Sequence, residues 1–347
     1  MSPRHYFPRS PPPTMSTKIG YGIVTCDRED FFRQGDKDRI VNHVDHLVVV
    51  NDGREEYAAS SYGRAPVVIT HHGTPYQGVG ASKNEALQRL LNDGCEYIFL
   101  QEDDVIVDPV VLEEYIKAFE VSGIHHFNFP LHGVANKTPA GVPIVKAIVP
   151  YMHSGQPLNL TFSTWCVGAF SFYTRHALET VGLMDEQFYN AVEHCEHTYR
   201  ICRAGLHPPY HWFADVQGSE HYIEEIEFSN ESSIIRRDAE AFDKVVLDGM
   251  KAFKAKYGFE TSAIPSVPQT SFLPVLRRIA EGIHLPSDDI PEESAPFLPS
   301  TPAAKPMLEE ALGAAVRLTE GMSSDTPQGR KDMAALREAS EYFGTIL

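Results

Sequence analysis

Three consecutive acids, Glu102-Asp103-Asp104, end the apolar run Ile98-Phe99-Leu100 in the stretch EYIFLQEDDVIVDP, residues 96–109. Adjacent carboxylates repel one another, and burying one of them unpaired is costly. Acids at the end of a buried strand therefore demand positive charge. Carboxylates two apart can share a hard divalent cation, because Mg²⁺ and Mn²⁺ prefer oxygen ligands. Mg²⁺ takes one or two protein carboxylates and fills its shell with water and substrate phosphates, so the pattern points to a metal–diphosphate site. The alternative is a solvated acidic loop; the buried run ahead of the acids favours the metal.

The elements that must position these acids are legible around them. KIGYGIVTC (18–26), HLVVVNDG (46–53), APVVIT (65–70) and EYIFLQ (96–101) read as strands, several closed by turn signals. Helical patterns lie between them. REDFFRQGDKDRIVNHV carries Phe31, Phe32, Ile40, Val41 and Val44, and SKNEALQRLLNDG carries Ala86, Leu87, Leu90 and Leu91. Ser82 with Glu85 forms a capping-box pattern, and Gly94 a stop. Strands alternating with helices predict an α/β fold: a mostly parallel sheet covered by helices on both faces, with ligands beyond the carboxyl ends of the strands. Three strands end in useful groups: Thr25-Cys26-Asp27-Arg28, Asn51-Asp52-Gly53 and Glu102-Asp103-Asp104. One cleft can collect all three.

Downstream, CVGAFSFYT (166–174) reads as a strand and AVEHCEHTYRICRAG (191–205) as a helix. In that helix Glu193, Glu196, His197 and Arg200 share a face, and Glu196–Arg200 is an i,i+4 pair. Residues 236–258 form an amphipathic helix with Phe242, Val245, Val246, Met250 and Phe253 inward. The predicted organisation is a disordered Pro-rich extension over 1–16, a catalytic-type domain over 17–260, and a Pro-rich linker (286–306) with a helical tail over 261–347.

Composition narrows the function. Asp and Glu number 47 against 30 Lys and Arg, a formal charge of −17, which argues against a nucleic-acid phosphate-backbone binder but not against a pocket for one small anion. The five cysteines (26, 95, 166, 195 and 202) contain no CxxC pair. They read as reduced thiols of a cytoplasmic protein, not as a disulfide scaffold or a zinc site. No apolar run reaches the length of a membrane span, about 18–20 residues. The N-terminus has no apolar secretory core.

The segment GVGASKNEALQRLLNDGCEYIFLQEDDVIVDP (78–109) resembles the core of the GT-A glycosyltransferases, especially family 2-like enzymes, with Glu102-x-Asp104 in the place of their DxD acids. GIVTCDRED (22–30) is similar to the family's nucleotide-cradling first strand and loop, VVVNDG (48–53) to its second strand, and residues 168–206 to its acceptor-side segment. The likeness covers about residues 18–258. It implies a GT-A-type, Rossmann-like sheet and transfer of a sugar from a nucleoside-diphosphate donor, a UDP-sugar, to a hydroxyl acceptor, with inversion expected and retention as the alternative. It implies that Thr25, Asp27 and Asp52 line the nucleoside pocket and that Lys83 approaches the base or diphosphate. Glu102 and Asp103 belong to the donor site, and Asp104, Glu102 and a late His, His221 with His211 as its alternative, hold Mn²⁺ or Mg²⁺. His194 stands in the slot of the family's general base; His can accept a proton near neutral pH. Glu193 is the other candidate. Neighbours on a helix diverge by about 100°, so one of the two is expected to dominate.

Other residues have blander readings. The pairs His71-His72 and His125-His126 point to opposite faces of a strand and are expected to be structural. Trp165 can stack on a sugar, but core or rim packing is the expected role for it and for Phe170, Phe172 and Tyr173. A nucleotidyltransferase is the alternative enzyme; it would need a basic glycine-rich loop, and TCDREDF has no glycine. A non-catalytic nucleotide- or carbohydrate-binding module is the third reading, kept by His194 in the base slot.

Overall fold

The computed structural model describes residues 17–282 apart from 36, 72–75, 227–232 and 234–235. The expected extension 1–16, linker 286–306 and helical tail 307–347 lie outside the described residues, as does His72. The first half of the chain folds as β1 (Ile19–Thr25), α1 (Glu29–Gln34), α2 (Lys37–Ile40), β2 (His46–Asn51), β3 (Val67–Thr70), α3 (Val79–Asn92), β4 (Tyr97–Glu102), β5 (Val105–Val107), α4 (Val110–Ser122) and β6 (His126–Asn128). There follow β7 (Ala147–His153), β8 (Gln156–Ser163), β9 (Phe170–Thr174), α5 (Arg175–Val181), α6 (Glu193–Arg203), β10 (Phe213–Val216), β11 (Ile223–Glu225), α7 (Ala239–Tyr257) and α8 (Gln269–Ala280).

The main sheet has the order β3-β2-β1-β4-β9-β6. Strands β1 to β4 run parallel, and β9 is antiparallel to both β4 and β6. Period-2 alternation sorts its side chains onto two cores. Tyr21, Ile23, Leu47, Val49 and Phe99 pack with Val111 and Tyr115 of α4. Val24, Val48, Val50, Ile98 and Leu100 face Ala86, Leu87 and Leu90 of α3. The expected mostly parallel sheet, covered on both faces, is therefore present. Gly22 lets α3 lie close: a Cβ there would sit 2.8 Å from Leu100 Cδ2 and 3.0 Å from Ala86 Cβ.

A second sheet, β10-β8-β7, is antiparallel, and β5 pairs with β11 in a short ribbon. That ribbon fixes the acid loop. Val105 pairs with Glu225, and Ile226 N donates to Asp104 O at 3.0 Å. Residues 102–104 are thus held between the end of a parallel strand and an antiparallel ribbon.

Four expectations need correction. The pattern read as one helix over 28–44 breaks at Gly35 into α1 and α2. The helix expected to be capped by Ser82 begins three residues earlier; Ser82 lies in its first turn and donates to Gly78 O at 3.0 Å. Tertiary contacts satisfy this end instead: Gln77 N and Gly78 N donate to Asp52, and Val79 N to Asn190. Glu85 turns away to pair with His71. The strand read over 166–174 begins at Phe170. Finally, the boundary expected at 260 falls inside packed structure. In α8, Phe272, Leu276 and Ile279 belong to the same core as Tyr21 and Phe99. Phe272 stacks on Trp212 at 4.0 Å between centroids. The predicted helix over 236–258 does form, but of its inward residues only Phe253 is fully buried.

Candidate active site

A cleft of about 490 Å³ opens at the carboxyl ends of β1, β2 and β4 and is closed on its far side by the start of α6. Seven of the sequence-predicted residues line it: Thr25, Asp52, Glu102, Asp103, Asp104, Glu193 and His194. The other three take different places. Asp27 accepts from Glu55 N at 2.9 Å and from Tyr76 OH at 2.6 Å. Lys83 is buried beneath the cleft wall. His221 is exposed on the short turn before β11 and does not line the cleft. His211 is also elsewhere, its Nε2 3.2 Å from Ile264 O.

The acids meet two cations of the chain itself. Arg28 donates to Asp103 and lies 3.6 Å from Asp104 Oδ2. Thr25 Oγ1 donates to the other oxygen of Asp103 at 2.6 Å. Burial pushes the Asp103 carboxyl up to about 6, against the pull of Arg28. Lys83 Nζ, though buried, sits 2.5 Å from Glu102 Oε1 and 3.3 Å from Glu193 Oε1. Burial opposes its charge, but these two carboxylates outweigh that and hold it well above the usual lysine range. One ammonium therefore ties the acid loop to α6.

Asp104 differs from its neighbours. Its Oδ1 is buried with no hydrogen-bond partner, while its Oδ2 lies 3.6 Å from His132 Nε2. A buried carboxylate oxygen without a donor is an expensive arrangement unless something cationic completes it. His132, rather than His221, lies beside Asp104, and its Nδ1 is 3.5 Å from Glu225 Oε1. It sits just past β6, and no spacing signal in the sequence links it to the acids.

Asp52 is buried at the end of β2 and receives the amides of Gln77 and Gly78 at 3.0 and 2.9 Å. It anchors the start of α3 while facing the cleft, so both its oxygens are engaged by backbone.

Glu193 and His194 open α6. Val192, immediately before them, has φ 72°, an outlier for a β-branched residue and a position of backbone strain. Gly249 of α7 passes close by: a Cβ there would meet Ala191 O at 3.0 Å and Val192 Cγ2 at 3.1 Å. The two side chains do not diverge as helix geometry suggested. Glu193 Oε1 lies 3.1 Å from His194 Nδ1, so they form a dyad. Burial raises the Glu193 carboxyl, but His194 and Lys83 hold it far below its ordinary range. Burial lowers His194, but Cys195 and Glu193 hold the imidazole well above its ordinary range. The ring has room only because residue 168 is glycine; a Cβ there would sit 2.9 Å from His194 Cγ.

Sequence reasoning placed Arg28 at a strand end without pairing it to the acids, and it missed His132 and a cluster of thiols. Cys166 and Cys195 lie beside His194 on the cleft wall, with one ligating atom of each of the three within 4.8 Å of the others. The absence of CxxC spacing gave no sign of it, because the two cysteines are brought together by β9 and α6. Trp165, expected to pack, is 54% exposed; Phe170, Phe172 and Tyr173 are core. His125 and His126 are structural as expected: His125 Nδ1 pairs with Thr174 Oγ1, and buried His126 bridges Phe172 O and Thr198 Oγ1.

Among the described residues no helix is long and apolar enough to cross a membrane. No protein-family model and no curated protein matches the chain. Two solved structures of S. aureus TarS match it, each at 13% identity. The first match covers 78% of this chain and 51% of that one, with a TM-score of 0.41. The second, TarS 1-349, covers 95% and 92%, with a TM-score of 0.39. The chain thus spans about half the length of the first. At such TM-scores the likeness carries no argument, and the α/β assignment rests on the sheet topology itself.

Proposed function

We propose that the chain is a GT-A-type glycosyltransferase that uses a divalent cation, Mn²⁺ or Mg²⁺, to move a sugar from a nucleoside-diphosphate donor, a UDP-sugar, to a hydroxyl acceptor with inversion. One observation carries the reading. A single cleft at the carboxyl ends of parallel strands holds both Asp104, with its buried unpartnered oxygen, and the Glu193–His194 dyad.

The residues fit a hard cation in part. Asp104 offers the oxygen, with His132 beside it, whereas Glu102 is already engaged by Lys83. When bound, such an ion neutralises charge on a diphosphate leaving group. Thr25 and Asp52 border the space for the donor, and Arg28 adds fixed positive charge at the acids. His194 accepts the acceptor's hydroxyl proton at Nε2. Glu193, on Nδ1, orients the ring and stabilises its charged form, the division of labour expected of a carboxylate–imidazole pair. Because Cys195 and Glu193 raise the imidazole's affinity for a proton, the fraction free to accept one from the acceptor grows as pH rises, and the transfer rate with it.

The test is a donor-hydrolysis screen over nucleoside-diphosphate sugars, with and without Mn²⁺, on wild type and Asp104→Asn. Wild type should consume one donor class only with the metal. Asp104→Asn should lose Mn²⁺-dependent donor binding by calorimetry and keep its fold, since a repulsive acid cluster adds little stability. Unchanged donor affinity in the variant would sink the metal assignment.

A further inference from the structure

The transfer reaction uses His194 as its base, and of the two thiols beside it Cys195 only tunes that imidazole while Cys166 has no part. Cys166 precedes β9, and Cys195 follows His194 at the start of α6; all three face the cleft. We propose that Cys166, Cys195 and His194 form a binding site for a thiophilic divalent cation of the Zn²⁺ type, distinct from the oxygen site at Asp104, and that its occupation withdraws His194 from proton transfer. The first half stands on the cluster alone; the second rests on the function proposed above.

The ligand set selects the ion. Two sulfurs and one imidazole nitrogen suit Zn²⁺ and poorly suit Mg²⁺ or Mn²⁺. Three protein ligands with a fourth position open to the cleft is a set zinc accepts. Zn–S near 2.3 Å and Zn–N near 2.0 Å place tetrahedral ligands about 3.5–3.8 Å apart. The three atoms already lie within 4.8 Å of one another, so a contraction of about 1 Å brings them to tetrahedral spacing. The surroundings resemble those that orient metal ligands. Glu193 holds His194 at Nδ1, 3.1 Å away, which leaves Nε2 for the ion. Cys166 Sγ is 3.5 Å from Thr198 Oγ1, which His126 Nε2 fixes at 2.9 Å. On binding, each ligating thiol gives its proton to solvent, and so does the imidazole wherever it is protonated.

The experiment titrates the full chain, stripped with a chelator, with Co²⁺ as a spectroscopic stand-in. A thiolate-to-cobalt charge-transfer band and tetrahedral d–d bands should appear, and Zn²⁺ should displace them. The band should vanish in the Cys166→Ser/Cys195→Ser double variant and persist in Asp104→Asn. No thiolate band in wild type, or a band that survives the double variant, overturns the site. Should the double variant not fold, alkylation of wild type decides: Zn²⁺ should slow iodoacetamide labelling of Cys166 and Cys195 about tenfold or more, and Mn²⁺ should not. Equal labelling rates overturn the site. A missing band with Mn²⁺-dependent donor turnover intact defeats this proposal and leaves the transferase reading standing; the reverse pattern does the opposite.

Discussion

Replacing Lys83 with Met keeps the length of the stem and deletes the one ammonium that joins the acid loop to α6. Lys83 Nζ lies 2.5 Å from Glu102 and 3.3 Å from Glu193. At an effective dielectric near 20, a unit pair at 4 Å is worth about 4 kcal/mol before desolvation is subtracted. Removing one partner of a buried pair typically costs about 3–5 kcal/mol, because the other charge stays buried and unpaired. The two carboxylates differ in how they respond. The Glu102 side chain is 25% exposed and can rehydrate, whereas that of Glu193 is 4% exposed and cannot. The cost should therefore fall mainly on Glu193 and, because His194 stays beside that carboxylate, sit near the lower limit, about 3 kcal/mol. Urea unfolding at pH 7 measures it. Adding Glu193→Gln to Lys83→Met removes the carboxylate that His194 is then left to balance and should return about 1–2 kcal/mol, a coupling the double-mutant cycle isolates. A loss below about 1 kcal/mol for Lys83→Met, or a coupling near zero, refutes the view of Lys83 as the buried counter-ion of Glu193.

Other outcomes follow from the same packing. Gly168→Ala puts a Cβ 2.9 Å from His194 Cγ, so transfer should fall at least about tenfold while the overpacking cost stays near 1–3 kcal/mol; unchanged turnover would show that the ring is not held there. Burial pushes Asp215, bonded to Tyr115 and Ser219, up to about 7. The folded state then binds the extra proton, so stability is greatest below about pH 4 and declines toward pH 7, by up to roughly 4 kcal/mol; Asp215→Asn should flatten that slope in urea unfolding from pH 4 to 8. Phe272→Ala should cost about 3–5 kcal/mol if α8 belongs to the domain core, and under about 1 if residues past 260 are an appendage; thermal or urea unfolding separates the two.

Much of this protein could be read without coordinates, because period and punctuation are local properties. Val48 to Val50 and Ile98 to Leu100 announce buried strands by their run of apolar side chains. Strand–helix alternation then fixes a mostly parallel sheet with its ligands at the carboxyl ends, and Thr25, Asp52, Glu102 and Asp104 do meet in one cleft there. Helix boundaries were less legible. The start of α3 is set by Asp52 and Asn190, residues distant in sequence, so Ser82 looked like a cap that the fold does not use. The membership of α8 was hidden as well, since its apolar face has meaning only against Trp212 and Phe162. The electrostatics of the cleft were decided wholly by tertiary structure. Sequence shows three acids in need of positive charge, but only folding supplies Arg28 and Lys83, places His132 rather than His221 beside Asp104, and turns Glu193 and His194 from rivals into a pair. Charges and ligands act through distances of a few ångströms, and residues such as Cys166 and Cys195 acquire those distances only when separate segments converge.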